Sequence, residues 1–276
     1  SQDMGFQEVQ QENYSWWNNN PMTYDWHDIL KTEKYSPEWF DAIDSVHIYG
    51  ARLFATADSP FDKIIPFDRL SGKKVLEIGC GMGLHTEKMI RAGADVTSID
   101  ITSTAVEATN RRLSLKGLQA RVFQADAEEM PFEDSSFDFV WSWGVIHHSA
   151  CTTRIVREIS RVLAPKGDCR VMVYNREGMS AKIIYLRHYL LGGDFLRGSF
   201  DESLWRLSDG YSARYYIREQ FEDIFRAFFT EVSSDIFGQD VDVIPLLRKL
   251  RTMAVRILPE KYMRNAQAKR GGFIFL

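Results

Sequence analysis

The chain has 276 residues, of which 45% are hydrophobic and 26% charged, and 34 Lys and Arg nearly balance 38 Asp and Glu. This composition excludes a wholly disordered chain and fits one globular core with insertions. The net charge of −4 excludes a protein that is basic throughout, as many nucleic-acid binders are. Three scattered cysteines, no membrane-length apolar run and a polar N-terminus without a signal-peptide core lead us to expect a cytoplasmic protein.

The first seventy residues are rich in aromatic and amide side chains and lack strand alternation. Ser36 followed by Pro37 is typical of a helix start, because serine caps the free backbone N–H groups and proline fits the first turn. The apolar spacing Phe40, Ile43 and Val46 continues that helix. We therefore expect residues 1–70 to form short helices that act as an N-terminal helical lid or substrate cap.

From Lys74 onward, short β-branched segments alternate with helical segments. Strands are predicted at 74–78, 95–100, 120–124, 137–142 and 169–174, with helices at 84–92, 103–116 and 152–163, the last closed by Pro165 and Gly167. After a helical insertion at 178–214 come a helix at 217–229, a strand at 231–237 and a terminal strand at 272–276. This order predicts an α/β domain over 71–276 with a doubly wound, seven-stranded, mainly parallel sheet and a basic amphipathic insertion at 240–270.

A glycine-rich loop, Glu77-Ile78-Gly79-Cys80-Gly81-Met82-Gly83, follows the first strand and opens a helix. Such a turn lets a ligand approach the backbone closely. A dinucleotide fingerprint would need glycine at position 84, which is Leu84, and a Walker loop would need a Lys-Ser or Lys-Thr pair after the glycines. The spacing therefore disfavours both of these phosphate-binding loops.

Three motifs in order, namely this loop, Asp100 at the end of the second strand and the segment Met130 to Asp138, resemble the class I S-adenosylmethionine-dependent methyltransferases. The resemblance is to the ubiquinone/menaquinone-biosynthesis-like (UbiE-type) subgroup and covers residues 74–174. It implies the Rossmann-like methyltransferase fold, S-adenosylmethionine as methyl donor, S-adenosylhomocysteine as product, and no metal.

The resemblance also implies a role for each matching residue. Glu77 would lie near the amino group of the cofactor, and Asp100 would hold the ribose hydroxyls. Asp126 would accept a hydrogen bond from the adenine amino group. The rest of the implied cofactor site consists of backbone and small or apolar side chains: Gly79, Cys80, Gly81, Gly83, Ile101, Ala127, Trp143 and Gly144. Without the resemblance, Asp100 or Asp126 would be read as caps of the turns that follow them.

His147 and His148 follow the fourth strand, where strand ends face the ligand crevice. Histidine titrates near neutral pH, so His148, or less favourably His147, is a candidate base for a hydroxyl acceptor. The alternative is that both side chains only line the pocket or cap a helix. Metal ligation by the pair is disfavoured, because neighbouring side chains diverge and no further ligand lies at metal-site spacing.

The acceptor site is expected in the two segments outside the sheet, residues 1–70 and 178–214. Aromatic and basic side chains there could surround a ring or alkyl group, the candidates being Trp17, Tyr24, Trp26, Tyr211, Arg214 and Tyr215. It is equally consistent with the sequence that these side chains only fasten helices to the core.

Residues 246–270 contain eight Lys and Arg against Glu260 alone, a local charge of +7 in an acidic protein. A solvated helix face is one interpretation, and contact with an anionic membrane surface, an acidic substrate or RNA are the others. No nucleic-acid-binding module is recognisable, which disfavours RNA. The sequence as a whole predicts methyl transfer to a small or lipid-like biosynthetic intermediate, at oxygen in preference to nitrogen or carbon. The alternatives are a catalytically silent, methyltransferase-like binding subunit and an RNA methyltransferase.

Overall fold

The computed structural model describes residues 2–23, 31–54 and 61–276, and it has a mixed α/β fold around one sheet. Its strands are β1 (Lys74–Ile78), β2 (Asp95–Asp100), β3 (Arg121–Gln124), β4 (Phe137–Trp143), β5 (Leu163–Asn175), β6 (Tyr215–Tyr216), β7 (Asp235–Phe237) and β8 (Phe273–Phe275). The order across the sheet is β3-β2-β1-β4-β5-β8-β7, and the two-residue β6 pairs with β5. All pairs are parallel except those of β8, which runs antiparallel to β5 and β7. The predicted doubly wound, mainly parallel sheet is confirmed, but it has eight strands and not the predicted seven, because the two-residue β6 adds to β5.

Helices cover the sheet and extend beyond it. They are α1 (Gln2–Asn19), α2 (Pro37–Ala51), α3 (Leu84–Arg91), α4 (Ser103–Leu115), α5 (Thr152–Val162), α6 (Met179–Ile184), α7 (Phe200–Leu207), α8 (Arg218–Arg226), α9 (Asp240–Val243), α10 (Arg248–Val255) and α11 (Glu260–Arg270). Ser36 caps α2 by accepting a hydrogen bond from the Trp39 N–H, and Pro37 occupies the first turn, as predicted. The expectation of only short helices in the first seventy residues is wrong, because α1 is 18 residues long.

One predicted boundary is also wrong, at the junction of α5 and β5. Pro165 and Gly167 do not close the helix, because β5 begins at Leu163, directly after Val162. The pairing of β4 with β5 shifts register between Phe137 and Phe139. Proline cannot donate to a strand ladder, so an irregular stretch of this kind is where a sheet tolerates it.

The order of the strands reverses between β1 and β4, the neighbours at the centre of the sheet. In open parallel sheets, ligands bind outside the carboxyl ends of the strands at such a reversal. Ile78, Asp100 and Trp143 end β1, β2 and β4, so the glycine loop, the second-strand aspartate and the segment before the histidines share one edge.

A buried ion network fastens α2 to this edge. The Arg112 guanidinium on α4 donates to Asp44 on α2 at 2.8 and 2.5 Å and to Glu87 on α3 at 2.7 Å. Arg112 is almost fully buried, and its carboxylate partners raise its pKa despite the burial. Because removing one partner would strand a buried charge, the three helices are held in one arrangement.

Candidate functional site

A cavity of about 640 Å³ lies at the carboxyl edge of the sheet, within the size range of about 300 to 1,000 Å³ that is typical of small-molecule sites. Its base is formed by the loops after β1, β2, β3 and β4. α1 and α2 contribute Gln10, Asn13, Trp17, Ile43 and His47 to its other sides. The loops at the sheet edge and the first two helices therefore surround one continuous space.

Glycine is needed at the three loop positions for different physical reasons. All have positive φ, which favours glycine. A Cβ on Gly79 would lie 2.1 Å from Val145 Cγ2, and one on Gly83 would lie 3.1 Å from the Arg112 and Thr109 side chains. A Cβ on Gly81 would meet nothing within 4 Å. Gly79 and Gly81 line the cavity and Gly83 does not, so Gly81 is the glycine that leaves open space over the backbone.

Glu77 is buried at the end of β1 and lines the cavity. Its Oε2 accepts hydrogen bonds from the hydroxyls of Thr86 and Ser98. Burial raises the pKa of this carboxyl to about 8, against which the two hydroxyl bonds act in the opposite direction. The raised pKa favours the protonated carboxyl at neutral pH, and a cation placed beside it would favour the carboxylate.

His85 lies next to Glu77, with His85 Nδ1 4.0 Å from Glu77 Oε1. Because the Trp141 indole can only donate, its hydrogen bond of 3.1 Å to Nδ1 places the proton of the neutral ring on Nε2. Burial lowers the pKa of His85 well below its usual value. Nε2 is buried and has no hydrogen-bond partner among the described residues, so this N–H remains for another acceptor.

Asp100 is held by the loop around it. Its Oδ2 accepts from the Gly81 N–H at 3.2 Å, and its Oδ1 accepts from the Thr102 N–H at 3.0 Å and the Thr102 hydroxyl at 2.9 Å. Thr102, not Asp100, caps α4. Burial raises the pKa of Asp100, and the hydrogen bonds oppose that shift. The side chain lines the cavity; Oδ1 already accepts two hydrogen bonds and Oδ2 one, so Oδ2 keeps a lone pair for a further donor.

Asp126 lines the cavity at the start of the loop after β3, where a second polar side chain already contacts it. Gln10 Nε2 on α1 lies 3.0 Å from Asp126 Oδ1 and 2.9 Å from Asp126 Oδ2. The Glu128 N–H donates to Oδ1 at 2.8 Å. Any ligand amino group at Asp126 would therefore share this carboxylate with α1.

The other predicted cofactor residues fall mainly in the same lining: Cys80, Ile101, Ala127, Trp143 and Gly144. Burial, together with the charges of Asp100 and Glu77, raises the pKa of the Cys80 thiol well above its usual value. A thiol with a raised pKa is a poor nucleophile at neutral pH, since the thiolate is the reactive form. Cys80 contributes a small apolar surface.

His148 lies where the covering segments, α1 and residues 208–214, meet. Its Nδ1 is 2.6 Å from the Ser212 carbonyl oxygen, which can only accept, so Nδ1 carries the proton and Nε2 carries the lone pair. Nε2 is buried without a hydrogen-bond partner in the described chain. Burial lowers the pKa of His148 to about 4, so the ring is neutral at pH 7. The free Nε2 lone pair of the neutral ring can accept a proton, and the lowered pKa makes the ring a weaker base than an exposed histidine.

Asn13 and the Ser212 hydroxyl also hold the His148 backbone. The Asn13 amide donates to the His148 carbonyl at 2.7 Å, and the Ser212 hydroxyl donates to the same oxygen at 2.7 Å. The ring packs edge-on against Trp17, with centroids 5.0 Å apart. Gly210 completes the enclosure, because a Cβ there would lie 2.8 Å from His148 Nδ1 and 2.9 Å from Trp17 Cζ2.

His147 has a different environment. It is fully buried, its ring lies 4.1 Å from that of Tyr174 between centroids, and it is not part of the cavity lining. Burial, with smaller effects from His148 and Arg214, lowers its pKa well below the usual value. The geometry thus separates two histidines that the sequence could not distinguish.

The predicted acceptor residues are scattered. Trp17 lines the cavity, whereas Tyr211, Arg214 and Tyr215 do not. The Arg214 guanidinium donates to the backbone carbonyls of Ser149 and Ala150 and so fastens the loop after β4. Tyr24 and Trp26 lie outside the described residues.

Sequence reasoning missed Gln10, Asn13, Ser212 and Asp209. Asp209 lines the cavity, burial raises its pKa, and its carboxyl makes no hydrogen bond or ion pair with any described residue. These are single polar residues in segments without a motif, distant in sequence from the loops they contact. No spacing signal could have identified them.

The residues at this edge fit S-adenosylmethionine. Gly81 leaves open space over the loop backbone, Glu77 and Asp100 present carboxyls, and the buried His85 N–H lacks a partner in the described chain. Among the described residues, no group of three or more His, Cys, Asp or Glu side chains is arranged to hold a metal ion.

Comparison with known proteins gives a match over the same part of the chain. Residues 76–171 match the family model described as a methyltransferase domain. The chain is 38% identical over 100 residues to 27-O-demethylrifamycin SV methyltransferase of Amycolatopsis mediterranei, covering 35% of this chain and 37% of that protein. It is 36% identical over 113 residues to ubiquinone biosynthesis O-methyltransferase of Xanthomonas oryzae pv. oryzae, covering 39% and 45%. The match thus spans less than half the length of either relative.

A solved structure extends the likeness of the fold beyond this region. The S-adenosylmethionine-dependent methyltransferase from Mesorhizobium loti superposes with a TM-score of 0.54 at 15% identity, over 81% of this chain and 98% of that one. At that identity the likeness concerns the fold alone. The glycine loop, the strand-end carboxyl groups and the family match all lie in one segment, residues 76–171, and together they support the class I S-adenosylmethionine-dependent methyltransferase family for that segment.

Proposed function

We propose that the protein transfers a methyl group from S-adenosylmethionine to an oxygen of a small or lipid-like biosynthetic intermediate. The choice of oxygen rests on the tautomer of His148. Its Nδ1–H donates to the Ser212 carbonyl, and its Nε2 keeps a lone pair. A hydroxyl acceptor needs such a base, whereas a neutral amine can attack without one. The relative from Xanthomonas oryzae is an O-methyltransferase by name, which supports the same choice.

The cofactor residues are assigned on their chemistry. Glu77 would face the amino group and the His85 Nε2–H the carboxylate of the methionine part. Asp100 would accept from the ribose hydroxyls, because its carboxyl lines the cavity at the end of β2 and Oδ2 keeps a lone pair for a further donor. Asp126 would accept from the adenine amino group while it retains Gln10. When bound, S-adenosylmethionine supplies a methyl group activated by its positive sulfur.

His148 and the residues around it would deprotonate the acceptor hydroxyl and exclude water. His148 Nε2 accepts the proton of the acceptor hydroxyl as the oxygen attacks, and the Nδ1–H bond to the Ser212 carbonyl stabilises the ring in that orientation. Trp17, Gly210 and Asn13 exclude water from the ring. An in-line substitution depends mainly on alignment in a dry pocket, which these covering segments provide.

Acceptor recognition is assigned to two features of the cover. Trp17 offers a flat apolar surface, and the Asp209 carboxyl is free to bind a polar group. An acceptor with a ring or alkyl part and a hydroxyl or amino substituent fits this combination.

Two measurements test the proposed function. Calorimetric titration is expected to show micromolar binding of both S-adenosylmethionine and S-adenosylhomocysteine. Transfer of a tritiated methyl group is then measured with phenols, quinol precursors and hydroxylated lipids as acceptors, and we expect label in the ether product. Cofactor binding without transfer to any acceptor would favour a catalytically silent binding subunit. No binding of either compound would refute the assignment of the site.

A further inference from the structure

Helix α10 and its flanks carry exposed apolar side chains on a surface that nothing in the described chain covers. Leu250 and Met253, three residues apart on the helix, are 52% and 62% exposed, and Ile257, just beyond the helix, is 81% exposed. Leu246 and Leu247 precede the helix and are also exposed. Apolar patches of this kind mark contact surfaces, because monomeric soluble proteins rarely expose large apolar side chains next to one another.

The other side of α10 is anchored. Ala254, Val255 and Leu258 pack against a small cluster formed by Leu53, Val243, Ile244 and Met263. The exposed side chains therefore cannot turn inward without giving up this contact. α10 presents a fixed apolar face and does not merely expose a poorly packed helix.

Positive charge flanks the apolar side chains. Lys249 and Arg256 belong to this segment and Lys261 follows it, and all three are exposed. None of them pairs with a carboxylate of the described residues, whereas Arg264 on α11 is engaged with Glu260 and with backbone carbonyls. Exposed apolar side chains bordered by unpaired basic ones match the chemistry of an anionic lipid surface, in which acyl chains lie beneath negative headgroups.

The same helix borders the cavity. Arg251 of α10 lines it together with Tyr49, Val46 and Val241, and Tyr49 and Val46 are exposed. A surface that rests on α10 would therefore lie beside this side of the cavity. No helix among residues 2–23, 31–54 and 61–276 is long and apolar enough to cross a bilayer, so any membrane contact by this part of the chain would be at the interface.

We propose that Leu246, Leu250, Met253 and Ile257, with Lys249, Arg256 and Lys261, form a docking surface for an anionic lipid bilayer. Docking would bring the rim at Tyr49 and Arg251 to the membrane interface, from which a lipid-like acceptor could enter the cavity. That second part rests on the proposed function. Docking itself requires neither cofactor nor acceptor, so its failure and the failure of the proposed function are distinguishable.

The test is sedimentation of the full chain with vesicles of phosphatidylcholine alone or with 30% phosphatidylglycerol. We expect binding to the anionic vesicles only, and weaker binding as NaCl is raised, since salt screens exposed charges. The double variant Leu250→Glu/Met253→Glu should bind at least about tenfold more weakly, because interfacial binding scales with apolar area and charge. Lys249→Glu/Arg256→Glu should weaken binding in the same direction.

The matched control is Leu191→Glu/Leu196→Glu, in the insertion after β5. Both leucines are 79% exposed, but the charges around them balance, with Arg187, Arg197 and Arg206 against Asp194, Asp201 and Glu202. This variant should bind vesicles like the wild type. Thermal melting and the cofactor titration, unchanged in all variants, would show that each folds.

Three results would overturn the proposal. The first is equal binding to neutral and anionic vesicles or to neither. The second is equal loss in the α10 variant and its control. The third is evidence that the surface binds another partner. Such evidence would be a dimer in sedimentation velocity that Leu250→Glu/Met253→Glu dissociates. Salt-sensitive RNA binding that Lys249→Glu/Arg256→Glu abolishes would have the same meaning.

Discussion

The two halves of the cavity are built in different ways. On the cofactor side, Asp100 is held by Gly81 and Thr102, and Asp126 by Glu128, all in the loops at the same sheet edge. On the acceptor side, His148 is held by Asn13 and Ser212, which lie 135 and 64 residues away in the chain. Local backbone geometry suffices for the first half, whereas the second depends on the packing of α1 and residues 208–214 around His148.

This difference predicts that cofactor affinity and the rate of methyl transfer depend on different residues. Changes on the sheet edge should alter cofactor affinity, and changes in the covering segments should alter the rate of transfer with little effect on cofactor affinity. Asp126 is the exception, since Gln10 joins it to α1 and so links the two halves.

The largest expected effect comes from His148→Ala. If Nε2 is the base, removing it should slow methyl transfer by about 100-fold or more, with cofactor affinity unchanged. Because the pKa of His148 is about 4, the acid limb of the wild-type kcat/KM profile should lie near pH 4 and not near 6.5, and the variant should lose that limb. The control is His147→Phe, which keeps the contact with Tyr174 and should remain active. An unchanged rate in His148→Ala would show that this residue only lines the pocket.

Asp100→Ala should have the next largest effect, on the cofactor side. Loss of a charged hydrogen-bond acceptor for the ribose hydroxyls costs about 1.5 to 3 kcal/mol, or about 10- to 150-fold in cofactor affinity by calorimetry. Asp95→Ala changes an exposed carboxylate at the opposite end of the same strand and should leave the affinity unchanged. Wild-type affinity in Asp100→Ala would refute the ribose assignment.

Asn13→Ala should have a smaller effect, confined to the rate. The variant loses the hydrogen bond to the His148 carbonyl, and about 1 kcal/mol of lost positioning corresponds to about a fivefold decrease in kcat. Asn18→Ala is the matched control on the same helix, because Asn18 contacts Ser103 and Thr104 on α4 and does not touch His148. An equal fall in kcat in both variants would mean that α1 acts only by staying docked.

The smallest expected change is in proton release on cofactor binding. Glu77 is protonated below its pKa of about 8, and a bound ammonium group favours the carboxylate, so binding at pH 7 should release up to about one proton. At pH 9 the carboxyl is already ionised and the release should vanish. Titration in buffers of different ionisation enthalpy measures it. Glu77→Gln should release none, and equal release in this variant would place the amino group elsewhere.

Much of the cofactor side could be predicted from the sequence. The strand ends at Ile78 and Asp100 and the helix starts at Leu84 and Ser103 follow from local patterns, and the family match covers the same stretch. The limits of β5 could not be read in this way. Pro165 and Gly167 are typical helix terminators, and only the shifted pairing with β4 places them in a strand.

The sequence by itself determined the sheet, the glycine loop and the carboxylates at strand ends, because periodicity and turn chemistry act over a few residues. Only the tertiary structure decided which histidine lines the cavity, and the Ser212 carbonyl selects the His148 tautomer across 64 residues. It likewise decided that Arg214 fastens a loop and that Gln10 reaches Asp126. Long-range contacts of single polar side chains follow from the packing of whole elements, and for that reason no local pattern encodes them.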